Sequence, residues 1–351
     1  MHTSFKETNR GKIMLSIIKH SNLLKTVINI GTLLTLIVAI SVSISFGTTD
    51  IPVKTVWQAI FSYDAEVTSH QVVQQLRLPR AVSAALIGAF LSVSGALMQG
   101  MTRNPLASPS IMGVTDGAAF ALVIMLAFFP TVSNFGLTIA SFIGAGLAVA
   151  LIFTIGSFSA GGLTPIKLAL AGVAIATMLR SISSIFSLHF QLEKEMGFWL
   201  AGGLSGTNWK SVQILLISGI IGLTIALFLA KSITVLSLGE DMATNLGQNN
   251  LLIKVLGIIS ILVLTGGAVS VAGAIGFVGL IVPHITRFIM GTDYKWIIPS
   301  SALFGALLLV LSDVVSRLIN APFETPVGAI TSIIGVPFFL YLARTSGGGN
   351  K

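Results

Sequence analysis

Among the ionisable residues of the long apolar segments, we expect three to be buried: Asp116, Arg180 and Asp313. A charge placed in a membrane costs about 3 kcal/mol on insertion scales, so each of them is a candidate functional residue. Asp116 opens an apolar segment, and we interpret it as a cap at the positive end of a helix. Asp313 precedes Arg317 by four residues, which favours an ion pair on one helix face. Arg180 lies in mid-segment, where we expect an ion pair inside the helix bundle or a contact with backbone carbonyls.

Three arginines stand beside the apolar segments and could bind an anionic partner. Arg77 and Arg80 are three residues apart in the string Arg-Leu-Pro-Arg before one segment, and Arg317 follows another. Arginines at the mouth of a helix can anchor it at a membrane interface. Alternatively they dock an acidic protein, because a guanidinium forms forked hydrogen bonds to carboxylates. The residues by themselves leave both interpretations open.

Catalytic and metal-binding motifs are absent from the sequence. It contains no phosphate-binding Gly-x-x-x-x-Gly-Lys-Ser/Thr string and no HExxH string. The five histidines are scattered, and His284 has no neighbouring ligand, which favours a structural or interfacial role. There is no cysteine, which excludes thiolate sites and disulfides. We therefore predict no catalytic residues, no metal and no cofactor, and we disfavour a membrane enzyme.

The composition indicates which kind of helices carry these residues. Of 351 residues, 54% are hydrophobic and only 9% are charged, whereas a soluble domain carries about 25% charged residues. The mean hydropathy is +0.93, so the sequence predicts a polytopic protein in contact with membrane lipid. About ten spans would use roughly 200 residues and leave no room for a large soluble domain. We attribute the net charge of +8 to membrane topology rather than to nucleic-acid binding.

Ten apolar segments are separated by breaks rich in polar residues, Pro and Gly. The predicted spans are 26–46, 81–100, 111–129, 137–156, 166–188, 211–230, two within 251–290 with a turn near 272–274, 296–315 and 327–343. They form one ten-helix domain over 26–345, between a basic N-terminus (1–25) and a flexible C-terminus (346–351). The first apolar segment exceeds the roughly 7–15 residues of a signal peptide core, so we interpret it as an uncleaved span.

The basic residues predict the orientation. With both ends inside, 13 Lys and Arg fall in inner segments, six fall in outer ones, and Arg180 lies in the fifth span. This bias places both termini in the cytoplasm. The longest polar stretch of the second half, 236–250, is then an inner loop with helical spacing. Met242 and Leu246, together with Leu238, would share one side of it.

Several strings occur in the order found in one known family. Arg-Leu-Pro-Arg is followed by GAFLSVSGALMQGMTRNPLASPSIMGVTDGAAF (88–120), LALAGVAI (168–175), FWLAGGLSGTNW (198–209), LGEDMATNLG (238–247), GAIGFVGLIVPHITR (273–287), LSDVVSRL (311–318) and TPVGAITSIIGVPFFLYL (325–342). On these strings, over roughly residues 30–345, the chain resembles the FecCD-type permeases of binding-protein-dependent ABC importers. Thr325-Pro326 departs from the Leu-Pro of many relatives.

The resemblance implies an all-α polytopic membrane protein of about ten transmembrane helices, with the type II ABC importer permease architecture. It implies a bacterial plasma-membrane subunit that is not itself an enzyme. The implied partners are two cytoplasmic ATP-binding subunits, a second permease (identical or a paralogue) and an extracytoplasmic siderophore-binding protein.

The resemblance also implies roles for particular residues. Binding-protein docking falls on Arg77, Arg80 and Arg317. Coupling to the ATPase falls on Gly239, Glu240, Asp241, Ala243, Leu246 and Gly247. Spans five and ten would line the path, with gate or pore candidates at Ser159, Gly161, Gly162, Thr164, Gly172, Gly328 and Gly335.

The predicted solute is an iron(III)-siderophore complex, with haem and cobalamin as the alternatives. A function of another class, ion-coupled secondary transport, is disfavoured because no chain of acidic residues threads the spans. The 236–250 loop also argues for coupling to an ATPase.

Overall fold

The computed structural model describes residues 21–47, 51–109, 113–157, 165–321 and 323–346, which are helical apart from short connections and contain no strand. The helices are α1 (Asn22–Ser45), α2 (Val53–Phe61), α3 (Thr68–Val72), α4 (Leu78–Thr102), α5 (Val114–Phe128), α6 (Asn134–Ser157), α7 (Pro165–His189), α8 (Glu193–Ala201), α9 (Trp209–Leu238), α10 (Glu240–Asn245), α11 (Asn250–Ala272), α12 (Val278–Met290), α13 (Tyr294–Leu318) and α14 (Val327–Ser346). A π-helical turn, Val73–Arg77, joins α3 to α4.

The described helices include seven that are long and apolar enough to cross a membrane. Three shorter apolar helices, Val114–Phe128, Val278–Met290 and Val327–Leu342, accompany them. Each of the ten predicted spans coincides with one of these helices. The predicted all-helical, polytopic fold is therefore confirmed.

Helix α4 forms the centre of the molecule and packs against α9, α11, α12 and α13. Glycines allow these close approaches, because a Cβ at Gly88 would collide with the Gly305 carbonyl of α13. In the same way, a Cβ at Gly95 would collide with the Gly279 carbonyl of α12. In lipid, where little hydrophobic force acts between helices, small residues stabilise such contacts through close backbone packing.

The predicted outer segment between spans one and two is more ordered than its polar composition suggested. It contains α2, α3 and the π turn, and the apolar helix is continuous from Thr68 rather than beginning near Ala81. Val56 and Ala59, three residues apart on α2, are buried together with Val73 and Ala81. This small apolar cluster fixes the outer end of α4, and with it Arg77 and Arg80.

Helices α5, α6 and α7 form a second group, in which α5 contacts both of the others. Gly117 of α5 and Gly144 of α6 meet backbone to backbone. Helix α7 buries one side, including Ile175, Leu179 and Ser183, and leaves the rest of its described surface exposed. Helix α5 has only 15 residues. Its first turn lies beside Arg180, near the middle of α7.

Candidate functional site

A cluster of charged residues lies at the predicted outer face, centred on Asp313 of α13. The Asp313 side chain is 0% exposed, and its Oδ1 accepts hydrogen bonds from Arg80 Nη2 at 2.9 Å and Arg80 Nε at 3.0 Å. Its Oδ2 pairs with Arg317 Nη2 at 3.0 Å. The i,i+4 pair predicted between Asp313 and Arg317 is thus present. A buried carboxylate shared by two guanidinium groups is well satisfied electrostatically, and it ties α4 to α13.

Arg77 and Arg317 cap the end of α1. Arg77 Nη1 donates to the carbonyls of Ile44 and Ser45, each at 2.8 Å. Arg317 Nη1 donates to the Ser43 and Phe46 carbonyls at 3.0 and 2.9 Å. The last carbonyls of a helix lack partners within the helix and carry its negative dipole end, so cations stabilise them. The two arginines therefore hold three helices together at this face.

Arg80 is the cluster arginine that reaches the exposed rim. Its Nη1 pairs with Glu324 Oε1 at 2.6 Å, and the Glu324 side chain is 38% exposed. Arg77 is only 8% exposed. The structure therefore places all three predicted docking arginines in one region, but each is engaged within the chain, and Glu324 covers the most accessible of them.

At the predicted inner face, α10 forms a short helical turn between α9 and α11. Gly239 and Gly247 bracket it with φ of +142° and +77°, a region of backbone conformation that side chains disfavour. Ala243 is fully buried, and Glu240 Oε2 pairs with Lys254 Nζ on α11 at 2.8 Å. Asn250 Nδ2 donates to the Glu240 carbonyl at 3.0 Å. Among the predicted coupling residues, the glycines, Glu240 and Ala243 therefore shape the turn.

The outward side of this turn is apolar. Leu238, Met242 and Leu246, spaced four residues apart, are all exposed. Asp241 is exposed beside them. A row of large apolar side chains on a polar loop is typical of a surface that another protein covers. The side-by-side placement predicted from the sequence is the one observed.

The predicted gate residues divide into two sets. Ser159, Gly161, Gly162 and Thr164 lie outside the described residues. Gly172, Gly328 and Gly335 are buried in helix contacts. A Cβ at Gly328 would collide with the Ala201 carbonyl, and one at Gly335 with the Phe277 ring.

Asp116 and Arg180 form an ion pair, with Arg180 Nε 2.9 Å from Asp116 Oδ1. Asp116 lies in the first turn of α5, as predicted, but no side chain caps this helix. The predicted cap is therefore wrong, because the Asp116 carboxylate instead pairs with the guanidinium of Arg180 on α7. Arg180 has the expected ion-pair partner, yet it is not enclosed in the bundle.

Within the described ranges, no group of three or more His, Cys, Asp or Glu could hold a metal ion. His284 packs edge-on against Phe338, with ring centroids 5.8 Å apart. Sequence reasoning missed Glu324 and the capping of α1. Glu324 stands seven positions after Arg317 in the sequence. No local pattern connects Glu324 to Arg80, because the two residues are 244 positions apart.

The long apolar helices and their packing define an all-helical, polytopic membrane protein. The model of the FecCD transport family matches residues 34–345, and the chain belongs to this family.

Two relatives and one solved structure show the range of the similarity. The chain is 59% identical over 302 residues to the iron(3+)-hydroxamate import system permease protein FhuB of Bacillus subtilis, covering 86% of this chain and 79% of that protein. It is 40% identical over 290 residues to the cobalamin import system permease protein BtuC of Halobacterium salinarum, covering 82% and 77%. A metal-chelate type ABC transporter in an inward-facing conformation superposes with a TM-score of 0.80 at 29% identity, covering 91% of this chain and 99% of that one.

Proposed function

We propose that the chain is the membrane-spanning subunit of a binding-protein-dependent ABC importer that moves iron(III)-siderophore complexes of the hydroxamate class into the cytoplasm. The observation that carries this proposal is the 59% identity to an iron(3+)-hydroxamate permease. ATP hydrolysis belongs to the partner subunits. The subunit lies in the bacterial plasma membrane with both termini in the cytoplasm, as the inner excess of Lys and Arg favours.

The solute can be tested in cells. In a strain lacking the gene, uptake of labelled iron from ferric hydroxamates should fall and be restored by the gene. Haem and cobalamin serve as the other solutes, since the cobalamin permease is also a relative at 40% identity. Loss of haem or cobalamin uptake with normal hydroxamate uptake would overturn the proposed solute.

The inner turn is the proposed contact with the ATP-binding subunits, of which two serve a pair of permease chains. The exposed row of Leu238, Met242 and Leu246 supplies apolar area, while Gly239, Glu240, Ala243 and Gly247 hold its shape. Asp241 lies at the edge. The second permease chain is a copy or a paralogue, and Gly172, Gly328 and Gly335, with the 159–164 segment, remain the proposed gate or pore elements.

The outer cluster is the proposed dock for an acidic surface of the binding protein. Arg80 would make the direct contact, because its Nη1 faces the exposed Glu324. Arg77 and Arg317 would support the dock by fixing α1, α4 and α13. In the free transporter, Glu324 is then the ion-pair partner of Arg80. A carboxylate of the binding protein would compete with Glu324 for Arg80.

This competition predicts that Glu324→Gln strengthens docking several-fold, because the neutral amide releases Arg80. Binding would be measured by titrating labelled binding protein onto the solubilised complex. Glu66→Gln is the matched control, since Glu66 is another exposed acid of the predicted outer face. Weaker docking by Glu324→Gln, or an equal gain in the control, would contradict the role of Arg80.

A further inference from the structure

A polar cavity of about 410 Å³ lies at the predicted outer face, where α6 and α9 begin. Its lining includes Asn134 and Ser141 of α6, Lys210 of α9 and Ser270 near the end of α11. None of the three arginines of the outer cluster is among the described residues that line it. Its volume falls in the range of about 300–1,000 Å³ that is usual for small-ligand sites.

The charges of the cavity favour an anion. Lys210 is the one charged residue among the described residues that line it, and it belongs to none of the ion pairs that the described residues form. The N-termini of α6 and α9 both lie at the cavity, and helix N-termini attract negative charge. The exposed side chain of Asn134 adds an amide donor at the rim.

Ser141 supplies a second donor, deeper in the cavity. It is 1% exposed, and its Oγ has no hydrogen-bond partner among the described residues, although buried polar groups are normally hydrogen-bonded. Thr138 differs, because its Oγ1 already donates to the Asn134 carbonyl at 2.9 Å. Ser141 lies two turns below Asn134, or about 10 Å at 1.5 Å per residue. An occupant that satisfies both levels therefore carries oxygen acceptors at the rim and well below it.

The surroundings of the cavity place it at the level of lipid headgroups. Further into the membrane, Ile143 of α6 and Leu216 and Ile217 of α9 are exposed, and such apolar side chains suit lipid tails. Trp209, which is 43% exposed at the start of α9, is of the residue type enriched at membrane interfaces. Helix α11 packs against both α6 and α9, so the cavity lies at the outer end of a three-helix contact.

We infer that the cavity binds the headgroup of an anionic phospholipid of the outer leaflet. The lipid phosphate accepts hydrogen bonds from Lys210 and Asn134, and an ester carbonyl accepts one from Ser141. In a phospholipid the ester carbonyls lie between the phosphate and the tails, which matches the two donor levels. A zwitterionic headgroup would add a cation beside Lys210 that no acid of the described lining pairs. The inference is independent of the solute that the transporter carries.

Titration of the purified, assembled transporter with dioctanoyl phosphatidylglycerol tests the site, because this short-chain lipid disperses in detergent. Calorimetry at low salt should show saturable binding. Lys210→Ala should weaken it about five-fold, since a basic residue near anionic lipid contributes about 1 kcal/mol. Ser141→Ala should weaken it several-fold. Lys194→Ala is the matched control, because Lys194 is an exposed lysine of the same outer segment that does not line the cavity, and it should bind as the unmodified protein does.

Two further probes distinguish the source of the anion. Dioctanoyl phosphatidylcholine should bind more weakly than phosphatidylglycerol, and inorganic phosphate should bind more weakly still, because it cannot reach both donor levels. Unchanged affinity in Lys210→Ala and Ser141→Ala, or equal binding of the two lipids, would overturn the inference. Inorganic phosphate that bound as tightly as the lipid would make the cavity a site for free anions instead.

Discussion

Asp313 is the carboxylate on which the outer arrangement depends. Replacing it with Ala leaves Arg80 and Arg317 buried beside each other with only the partly exposed Glu324, which pairs with Arg80, as a counter-charge. Breaking a buried ion pair in this way costs about 3–5 kcal/mol. We expect a matching loss in the free energy of unfolding, measured by denaturant titration in detergent.

Glu324→Ala is the matched control for Asp313→Ala, because both carboxylates bind Arg80 but Glu324 is partly exposed. Exposed pairs contribute at most about 1 kcal/mol, so the control should lose far less stability. Similar losses in the two variants would show that burial does not set the strength of these pairs.

At the residue level, the sequence predicted contacts that lie close along the chain. The pair of Asp313 and Arg317 follows from helical spacing, and it is present at 3.0 Å. The partners of Arg80 and Arg77 are 233 and 33 residues away, and no periodicity connects them. Arg77 resembled a surface residue because it lies at the end of a mixed polar segment, whereas in the fold it binds the carbonyls that end α1.

At the level of helices, the turn α10 carries the proposed link to the ATPase. Met242→Asp would place a charge in the apolar row, and we expect the ATP-binding subunit to be lost during affinity purification. Met242→Leu keeps the apolar surface and should retain it. Retention of the subunit by Met242→Asp, with Leu246→Asp also without effect, would exclude this turn as the contact.

The packing of α4 rests on its glycines. Gly88→Ala should sharply reduce the yield of folded, monodisperse protein, because the added methyl group collides with the backbone of α13. Gly31→Ala is the control, since nothing lies within 4 Å of its added Cβ. Within a helix that change is neutral or stabilising by up to about 1 kcal/mol. Equal yields from both variants would contradict the close approach of α4 and α13.

Hydropathy predicted the helices themselves, because a span must be long and apolar whatever it packs against. It did not predict α2, the π turn or the depth at which α5 begins. Those features depend on contacts between distant segments, such as the burial of Val56 with Val73 and the pair of Asp116 with Arg180.

For the whole molecule, the two surfaces proposed to meet other chains are the exposed apolar row of the inner turn and the rim of the outer cluster, where Glu324 pairs with Arg80. The ordered strings identified the family from the sequence. The surfaces that join the chain to its partners could be predicted only in part, because their side chains are arranged by packing within the chain and completed by other proteins.

ATP-driven import of a ferric hydroxamate can be measured in proteoliposomes. The complex would be purified through this chain, reconstituted, and supplied with loaded binding protein. We predict that an ATP-binding subunit co-purifies and that labelled iron accumulates only with ATP. Accumulation driven by an ion gradient without ATP, and without a co-purifying ATPase, would contradict ATP-driven import by this chain.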